Sequence, residues 1–132
     1  MKLLIAGSRS IKEYDFKKYI PEGTTLIITG GAAGVDTLAE KYADELGLSK
    51  LIIRPKYDVY GKFAPLKRNQ EMVEMCDVAL IIWDGKSRGT KYTVDYAYKM
   101  GKHNQRYILY PSIYRPILST PHRTFLPFLD FA

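Results

Sequence analysis

Cysteine, histidine and long apolar runs are all scarce in this chain of 132 residues. The one cysteine, Cys76, excludes an intrachain disulfide and predicts a reducing, cytoplasmic location. No apolar run approaches the roughly 20 residues that a membrane-spanning helix needs. The run Leu3–Ala6 ends at Gly7, too early for a signal peptide. We therefore predict no membrane partner. His103 and His122 have no metal-like spacing to each other or to the cysteine, so we also predict no metal site.

Acidic residues are absent between Tyr96 and Leu129, and the whole chain carries a formal net charge of +6. The same stretch contains the cations Lys99, Lys102, Arg106, Arg115 and Arg123. This asymmetry suits an anionic partner, either a small molecule or a nucleic acid, and it suits a solvated surface equally well. Composition alone leaves these alternatives open.

Short apolar runs alternate with helical patterns along the chain. The runs predict five buried strands, at Lys2–Ala6, Thr25–Thr29, Leu51–Arg54, Val78–Trp83 and Tyr107–Tyr110. Apolar residues at helical spacing predict helices over residues 35–46, 65–76 and 94–101, with a weaker one over Ser10–Tyr19 that Ser10 would cap. The order predicts an α/β fold: a Rossmann-like three-layer domain with a five-stranded, mainly parallel sheet and helices on both faces.

This domain is predicted to cover residues 1–110, followed by a tail over residues 111–132 that is rich in proline and phenylalanine. Proline excludes a regular helix or a central strand there. We expect the tail to pack on the domain or on a neighbouring subunit. Its apolar surface predicts a homo-oligomer, most simply a two-fold dimer, with an intramolecular lid as the alternative.

Glycine and small polar residues follow three of the predicted strands, each time directly before a helix. They form residues 7–10 (GSRS), 30–34 (GGAAG) and 84–90 (DGKSRGT). Parallel strands end at one edge of a sheet, and helix N-termini attract anions. These loops therefore predict a phosphate-binding cleft with contacts from Gly7, Ser8, Arg9, Gly30, Gly31, Gly34, Asp84, Ser87, Arg88, Gly89 and Thr90.

Four side chains each allow a functional and a structural interpretation. Arg9 is placed to hold a phosphate or to be a solvated loop residue. Asp36 lies in the first turn of a helix, where it stabilises the helix dipole and could also accept hydrogen bonds from ribose hydroxyls. Arg68 stands near a helix start, where the dipole opposes a cation, which favours a ligand or a buried pair. Asn69 shares an apolar face and needs a loop or a ligand as its partner.

Two familiar nucleotide-binding motifs fail on spacing. Residues 30–34 read G-G-x-x-G rather than G-x-G-x-x-G, and Arg54 rather than an acid ends the third predicted strand. Residues 85–87 (GKS) resemble the end of a P-loop, but Leu80 occupies the position of its first glycine. The spacing disfavours an ordinary NAD-dependent dehydrogenase and a P-loop NTPase.

Four segments together resemble the SLOG superfamily: residues 5–9 (IAGSR), residues 29–36 (TGGAAGVD), Arg68-Asn69, and residues 87–90 (SRGT) with Thr93. That superfamily joins the DNA-processing DprA (Smf) proteins to the LOG cytokinin-activating phosphoribohydrolases, and the chain is most similar to its stand-alone YspA-like branch. The likeness spans Lys2 to Tyr110. It implies a Rossmann-like domain that binds a nucleotide or nucleotide derivative, with Thr93 among the contacts.

The resemblance leaves three functions open. The first is the binding of a nucleotide-type ligand, which the protein would sense or process. We assign no cofactor other than this ligand. The second is hydrolysis of an N-glycosidic bond: Arg68 matches the LOG arginine, whereas Thr93 replaces the LOG glutamate, so Arg68, Asp36 and Asp84 become the catalytic candidates. The third is single-stranded nucleic-acid binding, because Arg68-Asn69 and the Ser87–Thr93 loop are similar to the DprA-like branch.

Overall fold

A parallel β-sheet is the framework of the computed structural model, which describes residues 1–100 and the backbone of residues 106–109 and 125–127. The strands with described side chains are all parallel and are β1 (Lys2–Gly7), β2 (Leu26–Thr29), β3 (Ser49–Ile52) and β4 (Val78–Ile82). Beyond β4 the backbone continues the sheet with parallel β5 (Arg106–Leu109) and antiparallel β6 (Phe125–Pro127). The strand order is β3-β2-β1-β4-β5-β6.

Helices fill the connections between the strands. They are α1 (Val35–Glu45), α2 (Tyr57–Tyr60), α3 (Ala64–Met75) and α4 (Arg88–Lys99), with short 3₁₀ turns at Lys17–Tyr19 and Gly61–Phe63. Within the part of the chain that the structure describes, no helix combines the length and the apolar character that crossing a bilayer requires.

Alternate residues of β1 pack against opposite layers, as a strand with two buried faces requires. Leu3 and Ile5 belong to the core that α1 covers. Leu4 and Ala6 belong to a second core, to which α3 and α4 contribute. Helices therefore cover both faces of the sheet, and the predicted Rossmann-like α/β fold is confirmed.

Three details of the predicted fold are wrong. Instead of five strands, the sheet has four parallel strands with described side chains and six strands when the backbone pairings of β5 and β6 are included. The third strand starts two residues earlier than predicted, at Ser49, and forms a largely exposed edge of the sheet.

The predicted helix over Ser10–Tyr19 is reduced to the 3₁₀ turn at its end. Ile11 and Phe16 are fully buried there, but side chains five residues apart do not share a helix face. Ser10 caps no helix, because its hydroxyl donates to Asp84 Oδ2 at 2.7 Å.

Several predictions fall on residues outside the described ranges. The tail over residues 111–132 is described only in the backbone of β6, so its packing and the homo-oligomer stay predictions. Of the five cations that suggested an anionic partner, the structure describes the side chain of Lys99 alone. Nucleic-acid binding therefore stays a prediction from the sequence.

Candidate functional site

The loops after β1 and β4 border a cleft of about 400 Å³ at the carboxyl edge of the sheet. β1 and β4 are neighbours, but the chain leaves them toward opposite faces. After β1 it passes Ile11 and Phe16, on the face of α1, whereas after β4 it enters α4 on the other face. Diverging connections leave a crevice between two parallel strands, and ligands of open α/β sheets bind at such a switch point.

Most of the predicted ligand residues line this cleft: Gly7, Arg9, Asp36, Arg68, Asn69, Asp84, Ser87, Gly89, Thr90 and Thr93. Gly30 and Gly31 line a smaller pocket of about 230 Å³, which shares Arg9 and Arg68 with the cleft. Ser8, Gly34 and Arg88 line neither space. The three predicted loops and α3 thus converge at one place.

Five cleft residues were not predicted: Ala6, Ser10, Ala32, Pro65 and Met72. Ser10 could have been found, since it follows Arg9 in the same loop. The sequence gives no signal for Ala6 or Met72, because their apolar side chains also belong to the core, where they follow the same periodicity.

Close packing explains most of the loop glycines. Gly34 has a φ of +76°, and a Cβ there would lie 2.5 Å from the carbonyl oxygens of Ser8 and Arg9. Gly7 is packed just as tightly against Val35 of α1. Gly89 differs, because a Cβ at that position would meet no atom within 4 Å. Gly89 lies in the first turn of α4, and the space beside its Cα is open.

Ser8 lies beneath the cleft and joins its walls. The side chain is buried, and its Oγ accepts the Asp84 N–H at 3.0 Å and lies 3.4 Å from Thr90 Oγ1. Its carbonyl accepts the N–H groups of Ile11 and Val35. These bonds give Ser8 a structural role, and its predicted ligand contact stays a prediction.

Asp84 organises the loop after β4. Its Oδ1 accepts the N–H groups of Lys86 and Ser87 at 2.8 Å each, and its Oδ2 accepts the Ser10 hydroxyl. Partial burial raises the pKa of Asp84, but these hydrogen bonds outweigh it and hold the pKa below its ordinary value. A carboxylate that is so fully hydrogen-bonded is a poor general base.

Asp36 is a buried carboxylate that lines the cleft, with only 5% of its surface exposed. Burial raises its pKa, and the Ala32 N–H at 3.1 Å and the charge of Arg68 offset part of that rise. Of the predicted acids, Asp36 is therefore better suited than Asp84 to take up a proton. Asp95, by contrast, lies at an exposed position and pairs with Lys91 at 2.8 Å.

Arg68 brings the strand ends and α3 together. It is 8% exposed, and its Nη1 donates to the carbonyls of Gly30 at 2.5 Å and Ile53 at 3.2 Å. Its Nε donates to Asn69 Oδ1 at 2.9 Å, so the partner of Asn69 is its neighbour on α3, where a loop or a ligand was predicted. No described residue accepts from Nη2, so two donors of a mostly buried guanidinium remain for a ligand.

The start of α4 contributes backbone donors. Ser87 caps this helix, since its Oγ accepts the Thr90 N–H at 3.3 Å. The N–H of Gly89 has no acceptor within the described ranges, as expected in the first turn of a helix. Thr93 is buried and its hydroxyl donates to the Gly89 carbonyl at 3.1 Å. The cleft therefore combines a helix N-terminus, an arginine and a buried carboxylate.

The substitution Asp36→Asn should make stability less dependent on pH. Because the folded-state pKa of Asp36 is raised, its contribution to folding is fully present below the ordinary value of 3.8 and is lost as the pH rises through the raised value. Urea unfolding at about pH 3 and about pH 7 should show that the free energy of unfolding of the variant, relative to that of the parent, increases as the pH rises. The control is Asp58→Asn, at an exposed position. An identical pH dependence for parent and Asp36→Asn would contradict the assignment.

Comparisons with known proteins found no relative of this chain. No protein-family model matches the chain, and neither the curated proteins nor the solved structures include a match. The SLOG resemblance stays a prediction from the motif residues. Among residues 1–100, no group of three His, Cys, Asp or Glu side chains could hold a metal ion.

Proposed function

We propose that the cleft binds a phosphate-bearing nucleotide or nucleotide derivative. The observation that carries this proposal is the convergence of unpartnered donors at the switch point of the sheet. Arg68 Nη2 and the Gly89 N–H lack described acceptors, and exposed Arg9 lines the same cleft. Arginine forks and helix N-termini are the groups that proteins use to bind phosphate.

The rest of the cleft suits the sugar and base of such a ligand. Asp36 can accept hydrogen bonds from ribose hydroxyls, and the Asn69 amide nitrogen has no described acceptor of its own. Ala6, Pro65 and Met72 add apolar surface. A volume of about 400 Å³ lies within the usual range of roughly 300–1,000 Å³ for small-molecule sites.

This function agrees with the one that the SLOG resemblance implies, so we also propose that the chain is a SLOG-type domain closest to the YspA-like branch. Its single, buried cysteine is compatible with work in the cytoplasm. Membership in this superfamily favours nucleotide binding over hydrolysis, because Thr93 occupies the position at which the LOG enzymes carry their catalytic glutamate.

A thermal-shift panel of nucleoside mono- and diphosphates and nucleoside-diphosphate sugars tests the proposal. A ligand present at 100 times its Kd should stabilise the fold by about 2.7 kcal/mol. Melting curves that stay unchanged across the whole panel would count against nucleotide binding.

The variant Gly89→Ala should separate binding from stability. The new methyl group meets no protein atom, and alanine in a helix is favoured over glycine by about 0.5–1 kcal/mol, so stability should hold or rise slightly. The stabilisation by any nucleotide found in the panel should fall, because the methyl group occupies space beside a free N–H. The control is Lys91→Ala, at an exposed residue of α4 that lines neither the cleft nor the smaller pocket. If Gly89→Ala bound the nucleotide as tightly as the parent, the phosphate would not lie at the N-terminus of α4.

The burial of Asp36 favours one second candidate, hydrolysis of an N-glycosidic bond. In that reaction Asp36 would take a proton from water as it attacks the anomeric carbon, and the base would leave with the bond electrons. Incubation with nucleoside monophosphates, followed for released base, is the assay. Asp36→Asn should abolish release, whereas Asp84→Asn should reduce it less. A parent protein that releases no base rejects this candidate.

A further inference from the structure

Three arginines line the smaller pocket beside the cleft. Arg9, Arg54 and Arg68 share it with Gly30, Gly31 and Tyr57. Arg9 and Arg68 also line the cleft, whereas Arg54 does not. No described Asp or Glu lines this arginine pocket. Its wall is therefore cationic along the side that adjoins the proposed nucleotide site.

Consecutive glycines set two of these arginines side by side. The space of a Cβ on Gly30 is taken by Arg68, whose Cζ would lie 2.8 Å away. The space of a Cβ on Gly31 is taken by Arg54, whose Nη1 would lie 2.7 Å away. Each guanidinium also donates to the carbonyl of its glycine, Arg68 at 2.5 Å and Arg54 at 3.5 Å. The glycine pair thus brings two cations against adjacent residues of the backbone.

Part of the positive charge in the arginine pocket is offset by an acid, because Arg68 interacts with the Asp36 carboxylate, which lines the cleft and not this pocket. Among the described residues, none of the three arginines forms an ion pair within 4.0 Å. Burial lowers the pKa of Arg68 and the charge of Arg9 adds to that lowering, whereas the charges of Asp36 and Tyr57 oppose it. Like charges in one pocket repel each other, and an anion relieves that repulsion.

A neighbouring pocket on α3 shows the contrast. It shares Arg54 and Arg68 with the arginine pocket. Its further charged residues are two lysines and two acids, Lys56, Lys67, Glu71 and Glu74. Its charges are therefore mixed, as on an ordinary solvated surface. The arginine pocket lacks such acids, so it is better suited to recognise an anion.

We infer that the arginine pocket binds a second phosphate of the ligand in the cleft, so that the ligand is a nucleoside diphosphate or a diphosphate-linked nucleotide derivative. This inference rests on the proposed function and narrows its ligand class. Arg9 and Arg68 line both spaces and can contact both phosphates, since a guanidinium offers several donors in one plane. Arg54 contacts the second phosphate alone and distinguishes a diphosphate from a monophosphate.

Calorimetric titration of the full chain with inorganic phosphate and with pyrophosphate tests the inference. The parent should bind pyrophosphate at least about tenfold more tightly than phosphate, because an added charged contact is worth that much or more. Arg54→Gln should lose most of this preference and keep the parent's affinity for phosphate. Arg54→Lys should recover part of it, since it restores the charge without the planar fork.

The control is Lys62→Gln, which removes one positive charge from an exposed residue that lines none of the three pockets. It should keep the full preference for pyrophosphate. Equal affinities of the parent for the two anions, or a preference that survives in Arg54→Gln, would overturn the inference and leave nucleotide binding intact. Binding of neither anion would also overturn it, and the nucleotide panel then decides whether the proposed function falls too.

Discussion

Replacing Gly34 with alanine is expected to destabilise the domain by about 3 kcal/mol or more. The backbone conformation of Gly34, with a φ of +76° and a ψ of −125°, alone costs an alanine about 1–3 kcal/mol. The new Cβ would also lie 2.5 Å from the carbonyl oxygens of Ser8 and Arg9. The Ser8 carbonyl cannot move away freely, because it accepts the N–H groups of Ile11 and Val35. Urea denaturation of parent and variant measures the loss.

The matched control is Gly61→Ala. Gly61 has a φ of +57° and a ψ of −133°, close to the +76° and −125° of Gly34, but a Cβ there meets nothing within 4 Å. It should cost only the backbone strain of about 1–3 kcal/mol, so the difference between the variants isolates the close packing behind the cleft. Equal losses in the two variants would contradict this packing argument.

Replacing Arg68 with methionine is expected to cost about 3 kcal/mol or more, because each buried polar group that loses its hydrogen-bond partner costs about 1–3 kcal/mol. The variant leaves the carbonyls of Gly30 and Ile53 without their side-chain donor and removes the cation that offsets the burial of Asp36. The loss should shrink as the pH falls, because removing Arg68 raises the pKa of Asp36 further and a protonated Asp36 does not need the cation. Urea unfolding at neutral and acidic pH measures both effects.

Arg88→Met is the control for charge, since Arg88 is exposed and lines neither the cleft nor the arginine pocket. It should change stability by no more than about 0.5 kcal/mol. If Arg68→Met were equally mild, Arg68 would not organise the site. A loss that stayed the same at every pH would remove Asp36 from the explanation.

Buried periodicity made much of the fold predictable. β1 and β4 are apolar on both faces, and α1 and α3 repeat their apolar residues at helical spacing, so the sequence carries their signal directly. α2 was not predicted, because Tyr57, Val59 and Tyr60 are exposed and an exposed turn has no apolar period. The segment after β1 misled for the opposite reason: Ile11 and Phe16 are buried without belonging to one helix face.

The position of the site was predictable from the sheet topology, but the roles of its individual residues were not. Parallel strands end at one edge, so the loops after β1 and β4 had to meet there. Nothing local shows that Gly30 makes room for Arg68, since the two residues are 38 positions apart. Ser8 and Asp84 were predicted as ligand contacts, because small polar residues in loops either bind ligands or hold the loop together. Only the hydrogen bonds of the folded chain show that both hold the loops together.

Hydrogen bonds hold the loop after β4 in one conformation without a ligand. Trp83 Nε1 donates to the Ser87 carbonyl at 3.0 Å, Asp84 gathers the N–H groups of Lys86 and Ser87, and Ser8 ties the loop to β1. A loop with so many internal ties loses little conformational entropy when a ligand arrives. Binding at this side of the cleft should therefore be a single kinetic step, with an association rate proportional to ligand concentration and no slow phase of loop ordering.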